Sequence, residues 1–510
     1  MRDLSGKVVM ARSNVTATEH PLASMAGSRA FQRKGNAFDA AVAASFALAV
    51  VQPQLNGPGG DFFGLLYSAK HDRVFCLNSS GWSPSSLTVA EMTASGHRTT
   101  PEYGHGSVVI PGYVRGVYEM HRKFGSLEFS DCLKDAIALA DDGFPAGEGL
   151  VRTLTSASRS LSKGTRKTFF RSDGVIPVGG LLRQRELATC FREIARDGAD
   201  GFYAGSAASA IREEMSKGGI VVEEDDLASY APEWCEPLKM DYNGTEVFEV
   251  PPNSMGATTL LMLKLLQEER TGGRGLKPNS AERIKRTVAA AKIAYAAKDA
   301  QLGDPRFMRG GFSLEEFLRV GSAGAQKQTR IDDGDTTYFA VADDEGNLLS
   351  CIQSLFHELG SRVYVEKCGF FLNNRGSSFK LRGGGPNVLE PRKRPLHTLS
   401  SLILTKDDRP YIAVGAKGGD YRPQQHTLFV TNIVDYSMSL EKAIDYPRFL
   451  WEGGDAVKIE QGYTGLDGLR LRKISLPYPG PTGVAQGAER MSECVKGVCD
   501  VRGEGLPSGN

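Results

Sequence analysis

The run TTYFAVADDEGNLLSCIQS, Thr336 to Ser354, constrains the fold more than any other stretch of the chain. Two apolar segments rich in aromatic and branched residues flank a turn built on Gly346 and Asn347, so the run reads as strand, turn, strand. GFFLNN, SSLILT, YIAVGA and AVKIEQ continue as strands, while HTLFVTNIVDYSM and LEKAIDYPRF carry helical spacing. Upstream, RVFCLNS alternates like a strand, and MDYNGTEVFEVPP reads as a hairpin around an Asn-Gly turn. Residues 110–300 are otherwise mostly helical, and 303–335 lose periodicity. This distribution predicts strand-rich sheets sandwiched by helices, with Thr336 opening a central strand.

Near the start, HPLASMAGSRAFQRKG reads as a helix stopping at Gly35. NAFDAAVAASFALAVVQP reads as a second helix, capped by Asn36 and closed by Pro53. The glycines of NGPGGDFFG follow a helix and precede a strand. Phosphate cradles have the opposite context, so these glycines are read as points of close backbone approach. The apolar run Ala40–Val51 is too short to span a membrane. The first twenty residues hold no apolar signal core, which predicts a cytoplasmic protein. Lys and Arg total 61 against 60 Asp and Glu, a net charge of +1 with no electrostatic footprint for nucleic acid or an anionic membrane. The eight cysteines are scattered, without CxxC or zinc spacing, so neither metal nor cofactor is expected and the thiols are expected to be reduced.

The paired threonines at the mouth of the strand carry two readings. Thr is a good strand residue with a stiff side chain. A Thr that becomes a chain start also carries its own base, the freed α-amine, whose ordinary pKa of about 7.7–8.0 lets it accept a proton at neutral pH. Such chemistry needs a group that orients the hydroxyl and donors for a developing oxyanion. Ser354 lies across the hairpin from Thr336. Gly418–Gly419, directly after a strand, can present N–H groups to an anion. Arg375, beside Asn374 in NNRGSSF, suits a substrate carboxylate, and His397 and Thr398 begin another expected strand in RPLHT. Taken singly, each also reads as structure: a plain turn, a surface Arg, a satisfied core His.

Together, ATEHPLASMAG, KGNAFDAAVA, NGPGGDFF, PPNSMG, GDTTYFAVADDEGN, NNRGSSF, RKRPLHTLS, VGAKGG and AIDYPRF, in this order, resemble the γ-glutamyltranspeptidase family of N-terminal-nucleophile hydrolases. The resemblance covers nearly the whole chain. It implies an α+β fold, a four-layer αββα sandwich. It implies a precursor that cleaves its own Asp335–Thr336 bond into a large subunit, 1–335, and a small catalytic subunit, 336–510, which stay together as one αββα unit. A homodimer of such heterodimers is compatible with it. Thr336 matches the nucleophile, Gly418 and Gly419 the oxyanion pair, and Ser354 the position of a Thr that orients the nucleophile.

The chain departs from the family pattern where γ-glutamyl enzymes hold their substrate. SSGWSPSS, Ser79 to Ser86, stands where they carry a carboxylate-binding Arg; Ser378 replaces an acid, Phe356 an Asn, and His397–Thr398 a Ser pair. Arg375, His397 and GGDYRPQ look instead like the branch containing oxamate amidohydrolase. The implied substrate is a small carboxylate-bearing amide, with Asn374, Arg375, His397 and Thr398 as binding candidates. A true γ-glutamyltransferase or glutathione hydrolase with a remodelled clamp, and an unprocessed ligand-binding scaffold, are the alternatives.

Overall fold

The computed structural model describes residues 7–269, 276–320, 331, 334–407 and 409–510. Two seven-stranded antiparallel sheets lie face to face among them. One, the Thr336 sheet, runs in the order Ser508–Gly509, Asn14–Thr18, Asp335–Asp343, Leu348–Phe356, Asp61–Ser68, Arg73–Ser79, Glu233–Cys235. The other runs Lys7–Ala11, Val495–Cys499, Ala485–Arg490, Arg409–Ala416, Leu402–Lys406, Thr245–Glu249, Leu238–Tyr242.

The period-two alternation of strand side chains sorts the apolar residues into layers. Tyr338, Ala340, Phe63, Leu65 and Ile352 meet Phe248, Ile403, Ala413 and Ala488 between the sheets. Their neighbours Phe339, Val341, Phe62, Leu66 and Leu349 face the other way, against the helices Pro21–Gln32, Ala37–Val51 and Phe129–Asp142. Leu402, Leu404, Ile412 and Val414 back the second sheet onto Gly256–Glu269, Arg422–Val434 and Leu440–Asp445. The result is the αββα sandwich. Strands buried on both faces explain why the hairpin reads as continuous apolar runs.

Helix Ala37–Val51 is buried along its whole length. Asn36 accepts the N–H groups of Phe38 and Asp39, and the Asp39 carboxylate returns to the Asn36 N–H, a closed capping box. The preceding helix ends at Gln32 rather than Gly35, and Lys34, with φ of 70°, takes the left-handed conformation. Gly35 is needed for space instead: a Cβ there would strike Leu127 and Asp39. At the expected hairpin, Asn243 and Gly244 hold φ of 55° and 84°, as a two-residue turn between right-twisted strands requires.

Two expectations are corrected. RPLHT does not open a strand, because strand pairing starts only at Leu402. GFFLNN gives only Phe370–Phe371, paired to Tyr364–Val365. The chain's two ends also supply sheet strands at Lys7–Ala11, Asn14–Thr18, Ala485–Arg490 and Val495–Cys499. Of the loop-rich 303–335, residues 321–330 and 332–333 lie outside the described residues; helix Leu314–Val320 precedes them. Among the described residues no helix is long and apolar enough to cross a membrane.

Candidate active site

Strands Asp335–Asp343 and Leu348–Phe356 slip by one residue at Thr336. Asp335 pairs with Phe356 and Thr337 with Gln353, so Ser354 and Leu355 together oppose Thr336. Such bulges re-aim a side chain. Here the Thr336 hydroxyl donates to the carbonyl oxygen of its own preceding residue, Asp335, at 2.6 Å. Ser354 Oγ donates to the same oxygen at 2.8 Å and lies 3.3 Å from Thr336 Oγ1. Ser354 in turn accepts the Phe356 N–H at 2.7 Å. Phe356 holds φ of 87°, which costs an aromatic residue on the order of 1–3 kcal/mol. Thr336 itself is buried.

Thr337 plays a different part. Its hydroxyl accepts from Asn56 Nδ2 at 3.2 Å, and Asn56 Oδ1 accepts from Gln353 Nε2 at 2.6 Å. Gln353 also bonds Ser45 on helix Ala37–Val51. The second threonine therefore ties strand Asp335–Asp343, through Asn56 and Gln353, to that helix.

Gly418 and Gly419 follow strand Arg409–Ala416 with φ of 141° and 49°, both within glycine's range, and lead into helix Arg422–Val434. The residue before them, Lys417, places Nζ 2.6 Å from Glu19 Oε1 and 3.4 Å from Asp335 Oδ1. Burial opposes the Lys417 charge, but Asp335 and Glu19 outweigh it and raise its pKa. Burial lifts the Glu19 carboxyl to about 7 against the pull of Lys417. Asp335 lines two cavities, of about 260 and 290 Å³. Lys417, Glu19 and Arg152 line the first, His357 and Arg362 the second, and Glu358 lines both.

Behind this centre lies a buried charge cluster. Asp61 stands opposite Ser354 in the sheet register. Its carboxylate accepts Arg375 Nε at 3.0 Å, His397 Nε2 at 3.0 Å and the Gly81 N–H at 2.8 Å. Arg375 Nη1 donates to Thr398 Oγ1 at 3.0 Å, and its guanidinium stacks on the Phe356 ring, 4.5 Å from the centroid. Asn374 Nδ2 bonds His357 Nδ1 at 2.8 Å, and its Oδ1 accepts the His357 N–H. Arg375, His397 and Thr398 line neither cavity. The carboxylate expected at Arg375 would meet a guanidinium already engaged by Asp61.

His397 Nδ1 accepts the Leu399 N–H, so the proton sits on Nε2, facing Asp61. Burial and then the Arg375 charge push its pKa down to about 4. Burial opposes ionisation of Asp61, but the hydrogen bonds it accepts and the Arg375 charge hold its pKa below the usual value. A histidine with a depressed folded pKa contributes stability that is complete above its unfolded value, about 6.5, and is lost as pH falls toward the folded value. Relative to His397→Gln, the wild type should lose about 3 kcal/mol of unfolding free energy between pH 7 and pH 4, read from urea titrations of both proteins. Glu19 and Asp445, whose carboxyls burial raises to about 7 and about 6, titrate in the opposite sense in both proteins and cancel from the difference. A constant difference across that range would refute the neutral His397.

One buried trio has metal-ligand chemistry: Asp39, His121 and Cys132 bring ligand atoms within 4.8 Å of one another. Asp39, however, already accepts the N–H groups of Asn36, Ser126 and Leu127 and the Ser126 hydroxyl. The trio is therefore read as part of the helix cap rather than a metal centre. Asp61, Glu19 and Lys417 are the site residues that sequence reasoning missed. Asp61 and Lys417 sit inside GPGGDFF and VGAKGG, adjoining the glycines that drew attention.

The whole chain can be placed among known proteins. The family model described as gamma-glutamyltranspeptidase matches residues 23–509. A Bacillus subtilis protein named glutathione hydrolase-like YwrD proenzyme is 34% identical over 99% of both chains. The oxamate amidohydrolase proenzyme of Klebsiella pneumoniae is 29% identical over 89% of each. The crystal structure of cephalosporin acylase from Bacillus halodurans superposes with a TM-score of 0.91, at 29% identity, covering 99% of this chain and 97% of that one. With the sandwich and the match to nearly its full length, this chain is an enzyme of the γ-glutamyltranspeptidase family.

Proposed function

We propose that the chain cuts its own Asp335–Thr336 bond and that the freed Thr336 then acts as the nucleophile on a small carboxylate-bearing amide. The observation that carries the reading is the Thr336 hydroxyl at 2.6 Å from the Asp335 carbonyl oxygen, with Ser354 O–H on that same oxygen. Attack of Oγ1 on the Asp335 carbonyl carbon forms a C–O bond and breaks the C–N bond, the hydroxyl proton passing to the departing Thr336 nitrogen, so the acyl group moves from nitrogen to oxygen. Ser354 stabilises the charge developing on the carbonyl oxygen. Water then splits the ester, leaving a carboxylate on Asp335 and an amine on Thr336.

In the cut enzyme that amine takes the hydroxyl proton as Thr336 attacks a donor amide. The Gly418–Gly419 backbone, at the approach to a helix N-terminus, is assigned the oxyanion. The amine product leaves with the proton, and water or an acceptor amine takes the acyl group. Asn374, Arg375, His397 and Thr398 form the buried wall behind Phe356, with Arg375 as its positive charge.

Purified protein should run as bands of about 36 and about 19 kDa, the shares of 55.1 kDa carried by 335 and 175 residues. N-terminal sequencing of the smaller band should read Thr-Thr-Tyr. Active protein that yields only the original start would end this reading. The YwrD likeness keeps γ-glutamyl donors in play; turnover of γ-glutamyl-p-nitroanilide but not oxamate would favour them.

A further inference from the structure

Resting on that reading, we infer that Lys417 selects the acyl donor, and that the donor class is the succinamic type: an amide whose acyl group ends in a carboxylate two carbons beyond the reacting carbonyl. The chain contains its own first substrate. In self-cleavage the acyl group delivered to Thr336 Oγ1 is that of Asp335. Counting from the scissile carbonyl, Asp335 presents Cα, Cβ and then a carboxylate. That carboxylate lies 3.4 Å from Lys417 Nζ.

Two independent landmarks put Lys417 on the acyl side of the reaction. It ion-pairs with the residue that donates the first acyl group, and it directly precedes Gly418–Gly419 in the chain. Its charge is held in place from behind by Glu19, which is buried and 2.6 Å away. Once the bond is cut and residue 335 withdraws, Lys417 faces the 260 Å³ cavity that Asp335 lined with it. The space vacated has the length of a succinyl group, and its far end carries a positive charge. Oxamate-type donors, with the carboxylate directly on the carbonyl, are two carbons too short to reach that ammonium.

The later reaction balances as an ordinary acyl transfer. The donor's C–N bond breaks, a C–O bond to Thr336 forms, the amine leaves with the proton, and water returns the free dicarboxylate. Specificity comes from the unreacting end, where a partly desolvated ion pair replaces the one Asp335 made.

The test compares succinyl-p-nitroanilide with its neutral isostere, 4-methylpentanoyl-p-nitroanilide, on the same preparation of processed enzyme. The ratio of the two kcat/KM values is independent of the active fraction. In the wild type it should be on the order of 10²-fold in favour of the succinyl donor. Lys417→Met should bring it to about one, and Lys417→Arg should retain part of it. Glu19→Gln, which removes the competing carboxylate, should raise it. A processed enzyme with no preference for the charged donor, or none that responds to Lys417 and Glu19, overturns this inference and leaves the nucleophile standing. A processed enzyme inert to the succinyl donor overturns it as well. An uncut chain that releases nitroaniline from neither donor overturns both readings.

Discussion

Thr336→Ala should remain a single 55.1 kDa chain and lose activity on the order of 10³-fold or more. The substitution removes the hydroxyl proposed to attack the Asp335 carbonyl, leaving only Ser354 Oγ against its oxygen, and with it both the cut and the later attack. It also removes the new chain end, since no other group makes the α-amine. The fold should survive: Ala fits the strand, and Phe339, Val341 and Tyr338 still anchor it. Thr336→Ser keeps the oxygen and should still cut, more slowly, because a hydroxyl without the branching methyl is less restricted about χ1. A time course on denaturing gels reads the cut, and nitroaniline release reads the attack. Cleavage at the normal place in the Ala variant would mean that the nucleophile lies elsewhere.

The layers of the fold are legible because they repeat simple periods. The hairpin from Thr336 to Ser354 shows as two apolar runs around a Gly-Asn turn, and its strands are buried on both faces. Helix Ala37–Val51 shows through its Asn36 cap and its uniformly apolar body. The terminal strands do not show, because NVTAT and VKGVC are short and hold few large apolar residues. They become strands by pairing with partners already in the sheet, Asn14–Thr18 on the Thr336 strand and Val495–Cys499 on Ala485–Arg490. That is tertiary context overriding local preference.

The site divides in the same way. Thr336, Ser354 and the Gly pair fall on one hairpin and one turn, where local pattern reaches them. Glu19 meets Lys417, and Asp61 meets Arg375 and His397, each from distant stretches, and nothing local to an isolated Asp or Lys says which charge it will meet. Arg375 shows the converse. Its type suits a carboxylate, and the structure does give it one, from Asp61 of the chain itself.

Asp61→Ala should cost about 3–5 kcal/mol of unfolding free energy, the usual penalty for removing one partner of a buried ion pair. The side chains of Asp61 and Arg375 are both fully buried. Water cannot replace the lost carboxylate, and the Arg375 charge cannot be discharged at accessible pH. His397 also loses the acceptor for its Nε2 proton, and turning the tautomer round would forfeit its bond from the Leu399 N–H. Asp61→Asn preserves the shape but still lacks the charge, so it should recover only part of the loss. The decisive comparison is Asp61→Ala with Arg375→Met. If the penalty comes from an uncompensated charge, the double variant should be more stable than Asp61→Ala alone, since Met fills the space beside Phe356 without needing a counterion. Urea unfolding of the four proteins gives the coupling directly. Additive losses would mean that packing around Ser354, rather than the buried charge, is what Asp61 secures.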